Sequence, residues 1–338
     1  MKGKREAVSR LCAAAGITWL LEHTPRRPVL MILNYHRVGD RRATAYDPNL
    51  FSATAEEFDW QIGYLKQHFR MTTLAEVLAL VEGADRLAEP RLLVTFDDGY
   101  RDNYQVAYPL LRRHGVQGVF FLPTGFAGSA RIPWWDEIAF LVKHSERERF
   151  RLEYPRPQNF DLAAAGVERT IAQVLDLYKE PETREPARFI DALERACGCS
   201  RPGPQAERCF LDWNEAREMQ AGGMVFGSHT HGHEILSKLP LDEQIAELRV
   251  SREILEKELG RTVDTLAYPV GKWGTFSEHT IEALRKTGYR AAFSFYSGFN
   301  TGTSIPRFDI KRCGVDRQSR GRLRLQTALG SHRGNMWF

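Results

Sequence analysis

Two adjacent carboxylates follow a run of apolar and β-branched residues in the first third of the chain. The run Arg91–Phe96 is typical of a buried strand, and Asp97, Asp98 and Gly99 come directly after it. Desolvation and like charge both oppose ionisation of two neighbouring carboxylates there, and a divalent cation would relieve that cost. Taken alone, the tripeptide is more simply explained by an ordinary Asp-Asp-Gly turn.

Three histidines lie within five positions after a second predicted strand, Met224–Gly227. His229 and His233 are four residues apart, so in a helical turn both imidazoles would point the same way, while His231 would face elsewhere. Two imidazoles and one carboxylate make an open catalytic site for zinc or a similar metal. The histidines therefore favour a metal site over a simple turn.

Short β-rich runs alternate with helix-like segments along most of the chain. This alternation implies parallel strands with helices outside them, either in a closed barrel or in a doubly wound sheet. The predicted strands are Val29–Tyr35, Arg91–Phe96, Gln117–Leu122, Met224–Gly227, Val263–Tyr268 and Tyr289–Phe295. The predicted helices between them are Ala55–His68, Thr73–Val81, Tyr104–His114, Asn214–Gln220, Leu241–Leu259 and Ser277–Lys286.

One segment, from about Ser145 to Arg208, interrupts this alternation. It is rich in Arg, Glu and Pro, with helical stretches near Val167–Tyr178 and Pro186–Cys197. We interpret residues 145–208 as a helical insertion that caps one mouth of the barrel. A solvated helical excursion without a function explains the segment equally well.

The combination of Thr95-Phe96-Asp97-Asp98-Gly99 with His229-Thr230-x-x-His233 resembles the first two motifs of the polysaccharide deacetylases. This family is also known as carbohydrate esterase family 4 or the NodB-homology domain. The resemblance covers roughly Pro28 to Asp316 and includes Val119–Gly125. It implies an α/β fold, a distorted (β/α) barrel of about seven parallel strands over residues 28–316. It also implies removal of N-acetyl groups from the amino sugars of a polysaccharide or lipid-linked glycan during cell-surface or exopolysaccharide biosynthesis.

The resemblance also implies a role for each motif residue. In the family the first Asp is the general base and the second is a metal ligand. Asp97 would then activate the attacking water, while Asp98, His229 and His233 hold a divalent metal, with Zn2+ as the expected ion. The metal and a backbone N–H, that of Tyr100, would stabilise the oxyanion.

Two family motifs depart from their usual form. The third motif carries Arg-x-Pro-x-Gly, whose Arg holds the general base, whereas Ala267-Tyr268-Pro269-Val270-Gly271 keeps Pro and Gly without the Arg. Arg307 is the expected substitute that orients Asp97, although a surface Arg explains it almost as well.

The family's Leu-x-x-His motif supplies the general acid, and Leu33–His36 resembles it. In the permuted branch of the family, which modifies biofilm glucosamine polymers, it has this early position. We therefore expect His36 to be the acid, with His332 as the next candidate.

Aromatic residues near predicted strand ends could form a sugar-binding wall, because stacked rings suit the apolar faces of sugars. A residue of this kind is more often part of the core than a contact to a ligand. The candidates are Tyr100, Trp134, Trp135, Trp213, Tyr268 and Trp273.

Charge, cysteine content and the chain ends bound the remaining possibilities. The 47 Lys and Arg residues against 43 acids leave a formal charge of +4, too small an excess to predict nucleic-acid binding. The five cysteines are too few and too irregularly placed for a disulfide framework, so we expect reduced thiols.

The apolar stretch Leu11–Leu21 is too short to span a bilayer and lacks a placed cleavage site. We expect an amphipathic helix over residues 1–27, packed on the barrel or resting on a membrane surface, and a basic tail over residues 317–338. The expected location is the cytoplasm or the inner face of the cell membrane.

Two further functions remain open at this point. A metal-dependent hydrolase of a small non-sugar amide or ring imide would use the same residues. A catalytically inactive metal-binding or glycan-binding relative would explain the missing third-motif Arg. Retention of Asp97 argues against the inactive relative, because a metal site alone does not need it.

Overall fold

The computed structural model describes residues 2–203, 208–302, 304–315 and 319–333. Its strands are β1 (Leu30–Tyr35), β2 (Arg37–Val38), β3 (Phe51–Ala53), β4 (Arg70–Met71), β5 (Arg91–Phe96), β6 (Gly118–Leu122), β7 (Arg149–Leu152), β8 (Gln158–Asp161), β9 (Val225–Ser228), β10 (Thr265–Ala267), β11 (Ala291–Ser294), β12 (Ile310–Lys311) and β13 (Cys313–Gly314). Its α-helices are α1 (Lys2–Ala14), α2 (Ile17–His23), α3 (Ala55–His68), α4 (Leu74–Val81), α5 (Tyr108–His114), α6 (Trp134–Lys143), α7 (Leu162–Ala165), α8 (Val167–Lys179), α9 (Pro186–Cys197), α10 (Trp213–Ala221), α11 (Leu241–Leu259), α12 (Glu278–Lys286) and α13 (Arg320–Arg333). Short 3-10 turns lie at Arg41–Ala43, Pro48–Leu50 and Leu236–Lys238, and a π-helical segment lies at Asn103–Ala107.

Eight strands form one sheet in the order β12-β11-β10-β9-β6-β5-β1-β13, with β4 added beside β5. All neighbouring strands in this sheet are parallel. The two ends of the order, β12 and β13, are separated along the chain by Arg312 alone. The sheet is therefore nearly closed, which confirms the predicted distorted (β/α) barrel flanked by helices.

Strand β1 shows how the barrel buries both faces of its sheet. Leu30 and Ile32 belong to one apolar cluster, and Met31, Leu33 and Tyr35 belong to another. Side chains alternate between the faces of a strand, and helices cover parallel sheets on the outside. By the same alternation Asn34 continues the face of Leu30 and Ile32, where a polar side chain needs a polar partner.

A second compact unit contains residues 40–50 and 128–209. It comprises helices α6 to α9 and the antiparallel pair β7–β8. This unit contains the predicted insertion, 145–208, together with α6 and the earlier segment 40–50. That the unit caps a mouth of the barrel stays a prediction.

The N-terminal segment forms two helices instead of one, divided at Gly16, whose φ of 71° is left-handed. Most of the predicted C-terminal tail is also helical, since α13 begins at Arg320; residues 316–318 and 334–338 lie outside the described residues. Glu22 of α2 accepts two hydrogen bonds from Arg324 of α13 at 2.8 and 2.6 Å. Within the described chain, every helix is either too short or too polar to cross a membrane.

Candidate active site

The turn after β5 directs two adjacent carboxylates to different partners. Asp98 and Gly99 both have left-handed backbones, with φ of 71° and 67°. A Cβ at Gly99 would lie 2.4 Å from the Leu122 side chain, so glycine is required there. The backbone N–H of Asp97 continues the sheet by donating to the Tyr35 carbonyl at 3.0 Å. The turn thus holds both carboxylates at the carboxyl edge of the barrel.

A loop after β9 carries the three histidines. It is not the predicted helical turn: Thr230 and His233 have left-handed φ values of 64° and 57°. Glu247 of α11 holds the loop by accepting the backbone N–H groups of His231 and Gly232 at 3.0 and 2.7 Å. These backbone conformations, rather than helical periodicity, bring the rings of His229 and His233 to 4.7 Å between centroids.

The side chain of His231 leaves this group. Its Nδ1 lies 2.9 Å from the Thr124 hydroxyl, so the ring faces away from the other two imidazoles, as the sequence predicted. His231 is therefore a matched control for the two neighbouring histidines.

Asp98, His229 and His233 form a buried group whose dimensions suit one metal ion. The Nε2 atoms of His229 and His233 lie 3.6 and 3.4 Å from Oδ1 of Asp98. These distances exceed an ordinary hydrogen bond. They match the separation of about 3.3–3.6 Å between two ligands of a tetrahedral site with bonds of about 2.0–2.2 Å. The three predicted ligands are therefore brought together in a metal-binding arrangement.

The protonation states of His229 and Asp98 also suit metal binding. Nδ1 of His229 lies 2.7 Å from the Ala267 carbonyl, to which it must donate, so the Nε2 lone pair is directed at Asp98. Burial lowers the pKa of His229 to about 4, which leaves the imidazole neutral at pH 7. Burial would raise the pKa of Asp98, but its favourable interaction with the nearby His233 ring holds it below its usual value. A carboxylate beside a neutral imidazole is the donor chemistry that Zn2+ accepts.

Asp97 makes a bidentate ion pair with Arg312. The guanidinium nitrogens lie 2.7 and 2.8 Å from the two carboxylate oxygens, and the Arg312 side chain is fully buried. Asn34 donates to the same carboxylate at 2.9 Å and accepts from Arg312 at 2.8 Å. Burial would raise the pKa of Asp97, but the charge of Arg312 holds it well below its usual range. Asp97 is thus ionised and fixed in orientation.

Arg307, predicted to orient Asp97, does not do so. Its Nε donates to the Arg290 carbonyl at 2.8 Å, and its guanidinium lies over the Phe308 ring, 5.0 Å from the centroid. Arg312 contacts Asp97 instead, because it lies where the barrel closes, between β12 and β13. The sequence contains little signal for Arg312, because it follows Lys311 and the two-residue strands on either side of it show no periodicity.

The structure brings His36 to the same edge of the barrel. It follows β1, which is hydrogen-bonded in parallel to β5, and its charge contributes to the lowered pKa values of both Asp97 and Asp98. Its backbone N–H donates to the Ser52 hydroxyl at 3.1 Å, and its carbonyl accepts from Asn103 at 2.8 Å. His332 is not brought there, since its ring bonds Thr24 at 2.8 Å beside the terminal helices.

Most of the predicted sugar-binding aromatics are packed instead. Tyr100 is fully buried, and the buried Tyr268 donates its hydroxyl to the Phe308 carbonyl at 2.9 Å. Trp213 packs against the barrel core. Trp134 and Trp135 lie in the second unit, where Trp134 stacks on Tyr178 at 4.2 Å. Of the six, Trp273 alone is largely exposed, at 77%, and it stacks on Tyr296 with centroids 4.6 Å apart.

Comparisons with known proteins bear on the family and the fold of this chain. Residues 84–292 match the family model described as polysaccharide deacetylase. YxkH of Bacillus subtilis (strain 168), assigned to the polysaccharide deacetylases, is 21% identical over 273 residues; the match covers 80% of this chain and 66% of YxkH. The deacetylase PplD of Streptococcus pyogenes, solved with acetate, has a TM-score of 0.58 at 17% identity, covering 89% of this chain and 98% of PplD. IcaB from Ammonifex degensii has a TM-score of 0.58 at 19% identity, covering 90% of this chain and 98% of IcaB. At these identities the two solved structures establish the fold.

Proposed function

Because the chain belongs to the polysaccharide deacetylase family, we propose that it hydrolyses N-acetyl groups on amino sugars of a polysaccharide or lipid-linked glycan made for the cell surface. The observation that carries this proposal is that two adjacent carboxylates of one turn have different partners. Asp98 lies with two imidazoles, and Asp97 lies with a buried guanidinium. A simple metal-binding protein would need the first environment but not the second.

Asp98, His229 and His233 would hold the metal ion, and we propose Zn2+ because two imidazoles and one carboxylate leave an open position. When bound, the cation would polarise the acetyl carbonyl and make water a stronger acid. This acidification is needed because the low pKa of Asp97 makes it a weak base.

Asp97 would accept the proton of the attacking water as its oxygen bonds to the acetyl carbon. Arg312 and Asn34 act through Asp97 as positioning residues, since each bonds its carboxylate directly. A carboxylate held by three such bonds has little freedom to rotate, which favours a productive geometry. The missing third-motif arginine was the reason to consider a catalytically inactive relative. Arg312 bonds Asp97 in its stead, so that reason no longer applies.

His36 would then donate a proton to the sugar nitrogen as the C–N bond breaks, giving a free amine and acetate. This role is supported by the pairing of β1 with β5 and by the influence of His36 on the pKa of both carboxylates. An amine is a poor leaving group unless it is protonated, so the reaction requires an acid in this position.

Trp273 and Tyr296 would supply the contact to the sugar ring. They lie in the loops after β10 and β11, which are neighbouring parallel strands, so both loops leave the carboxyl edge where the catalytic group lies. Their stacked, partly exposed rings offer the flat apolar surface that sugars prefer. The exposed platform favours an extended glycan over a small amide.

The direct test of the function is acetate release from N-acetylglucosamine oligomers. We expect release that a chelator abolishes and that added Zn2+ restores, because Asp98, His229 and His233 are the one group among the described residues that could hold the metal. A parallel panel of small amides and cyclic imides provides the comparison. Turnover confined to the small amides, or release unaffected by the chelator, would contradict the proposal.

Replacing His36 with alanine tests its role as the acid. We expect deacetylation of the amide substrate to fall by about 10²–10⁴-fold, with a much smaller loss on acetyl esters of good leaving groups, which need little protonation. His332→Ala is the matched control, because that ring bonds Thr24, just after α2, and Ala328 of α13. This change should leave both rates unchanged. Equal losses on amides and esters would remove the role from His36.

A further inference from the structure

Helices α1 and α2, near the start of the chain, bury polar side chains and expose apolar ones. On the described parts of α1 and α2, the buried residues are Ser9, Thr18 and Glu22. The large exposed apolar side chains there are Val8, Leu11, Ile17, Trp19 and Leu20. A helix packed on a soluble domain normally shows the reverse arrangement. We define Val8, Leu11, Ile17, Trp19 and Leu20 as the terminal apolar face.

This concentration is specific to one region. Across the described residues, eight large apolar side chains are exposed, and five of them belong to the terminal apolar face. Leu11 is 70% and Trp19 58% exposed. Val8 and Leu11 are three residues apart on α1, and Ile17 and Leu20 are three apart on α2, so each pair shares one side of its helix. Clustered exposure of this kind marks a surface that another apolar phase covers.

The arrangement is held in place rather than being a frayed end. Thr18 and Glu22 share one side of α2, and the Glu22 carboxylate accepts hydrogen bonds from Arg324 of α13 and from Tyr64 of α3 at 2.8 Å. Ser9 of α1 lies near Gly321 of α13, where an added Cβ would be 3.8 Å from the serine hydroxyl. These contacts fix which side of each helix faces outward.

The charge of the same helices identifies what covers the face. Residues 2–27 and 319–333 contain ten Lys and Arg residues against two acids, Glu6 and Glu22, although the whole chain has a formal charge of only +4. The rest of the chain is therefore net acidic. A second copy of these helices would bring like charges together, whereas an anionic lipid surface would attract them. Apolar side chains including a tryptophan, flanked by cationic residues, are the composition of a helix that lies in a membrane interface.

We propose that α1, α2 and α13 form a platform that binds reversibly to anionic phospholipid, with the terminal apolar face inserted among the lipids. Helices of 13 and 7 residues with charged neighbours would lie along the interface instead of crossing it. This binding does not depend on the deacetylase chemistry, because the residues of the terminal apolar face are separate from Asp97, Asp98, His229 and His233.

Sedimentation of the full chain with vesicles tests the platform. We expect binding to phosphatidylcholine vesicles that contain phosphatidylglycerol, weak binding to phosphatidylcholine alone, and loss of binding as salt is raised. Trp19→Ala with Leu20→Ala should weaken binding at least tenfold, because both side chains leave water on binding. Arg10→Glu should weaken binding to the anionic vesicles while the apolar face stays intact.

Trp273→Ala with Val250→Ala is the matched control, since both residues are exposed but lie outside the terminal helices; it should bind as the unchanged protein does. Circular dichroism checks that each variant keeps its helices. Equal binding by the Trp19/Leu20 variant, or no binding to anionic vesicles, would overturn the proposal. A dimer in light scattering that this variant abolishes, without vesicle binding, would instead assign the face to a second copy.

Discussion

Changing His233 to alanine is expected to abolish stoichiometric metal binding and, with it, deacetylation. The remaining ligands, Asp98 and His229, would offer one carboxylate and one imidazole, which is one donor short of the usual set for catalytic zinc. His233 also supports the ionised form of Asp98, so its loss would raise the pKa of that buried carboxyl and further weaken it as a ligand. Elemental analysis of the purified variant measures the effect directly.

His231→Ala is the control for this change, because His231 belongs to the same loop but its ring bonds Thr124. It should keep one metal per chain. Full metal occupancy in the His233 variant, or equal loss in both variants, would show that the group does not bind the ion as assigned.

Sequence reasoning was accurate for elements whose bounds are set locally. Helices α3, α9 and α11 have the predicted bounds, and the six predicted strands are present within two residues at each end. Thr54 caps α3 in a capping box with Glu57, and Gly260 ends α11 with a left-handed φ of 64°. In contrast β4, β12 and β13 have two residues each, and their pairing depends on distant strands.

The residues of the candidate site also differ in whether local sequence was enough to predict them. The two motifs that carry Asp97, Asp98, His229 and His233 are each short, so the residue types and their spacing were sufficient to predict them. Arg312 is 215 residues from Asp97, and nothing in the sequence around it connects it with that carboxylate, so the prediction named Arg307 instead. Only the closure of the barrel places one of them against the carboxylate. The location in the cytoplasm or at the inner face of the cell membrane stays a prediction.

Asp97→Asn is expected to keep the metal but to lose about 10²–10⁴-fold in turnover, the usual contribution of a general base. An amide has nearly the shape of the carboxylate but cannot accept the water's proton, and Asp98 with its two histidines is left intact. The comparison of metal content with turnover in one variant therefore separates the two neighbouring carboxylates. Near-normal turnover would remove Asp97 from the mechanism.

The change also has a structural cost that must be separated from catalysis. Arg312 is fully buried, and without a carboxylate its charge is left with the Asn34 side chain and the Ser294 carbonyl, at 2.8 and 3.2 Å. Breaking a buried ion pair typically costs about 3–5 kcal/mol of stability. Asp102→Asn is the matched control, since it removes the carboxylate bonded to Arg37 at 2.7 Å outside the metal group. If both variants lower the melting temperature but only Asp97→Asn loses turnover in chains that remain folded, the loss is chemical. Parallel losses of stability and turnover in the two variants would make Asp97 a structural partner of Arg312 instead.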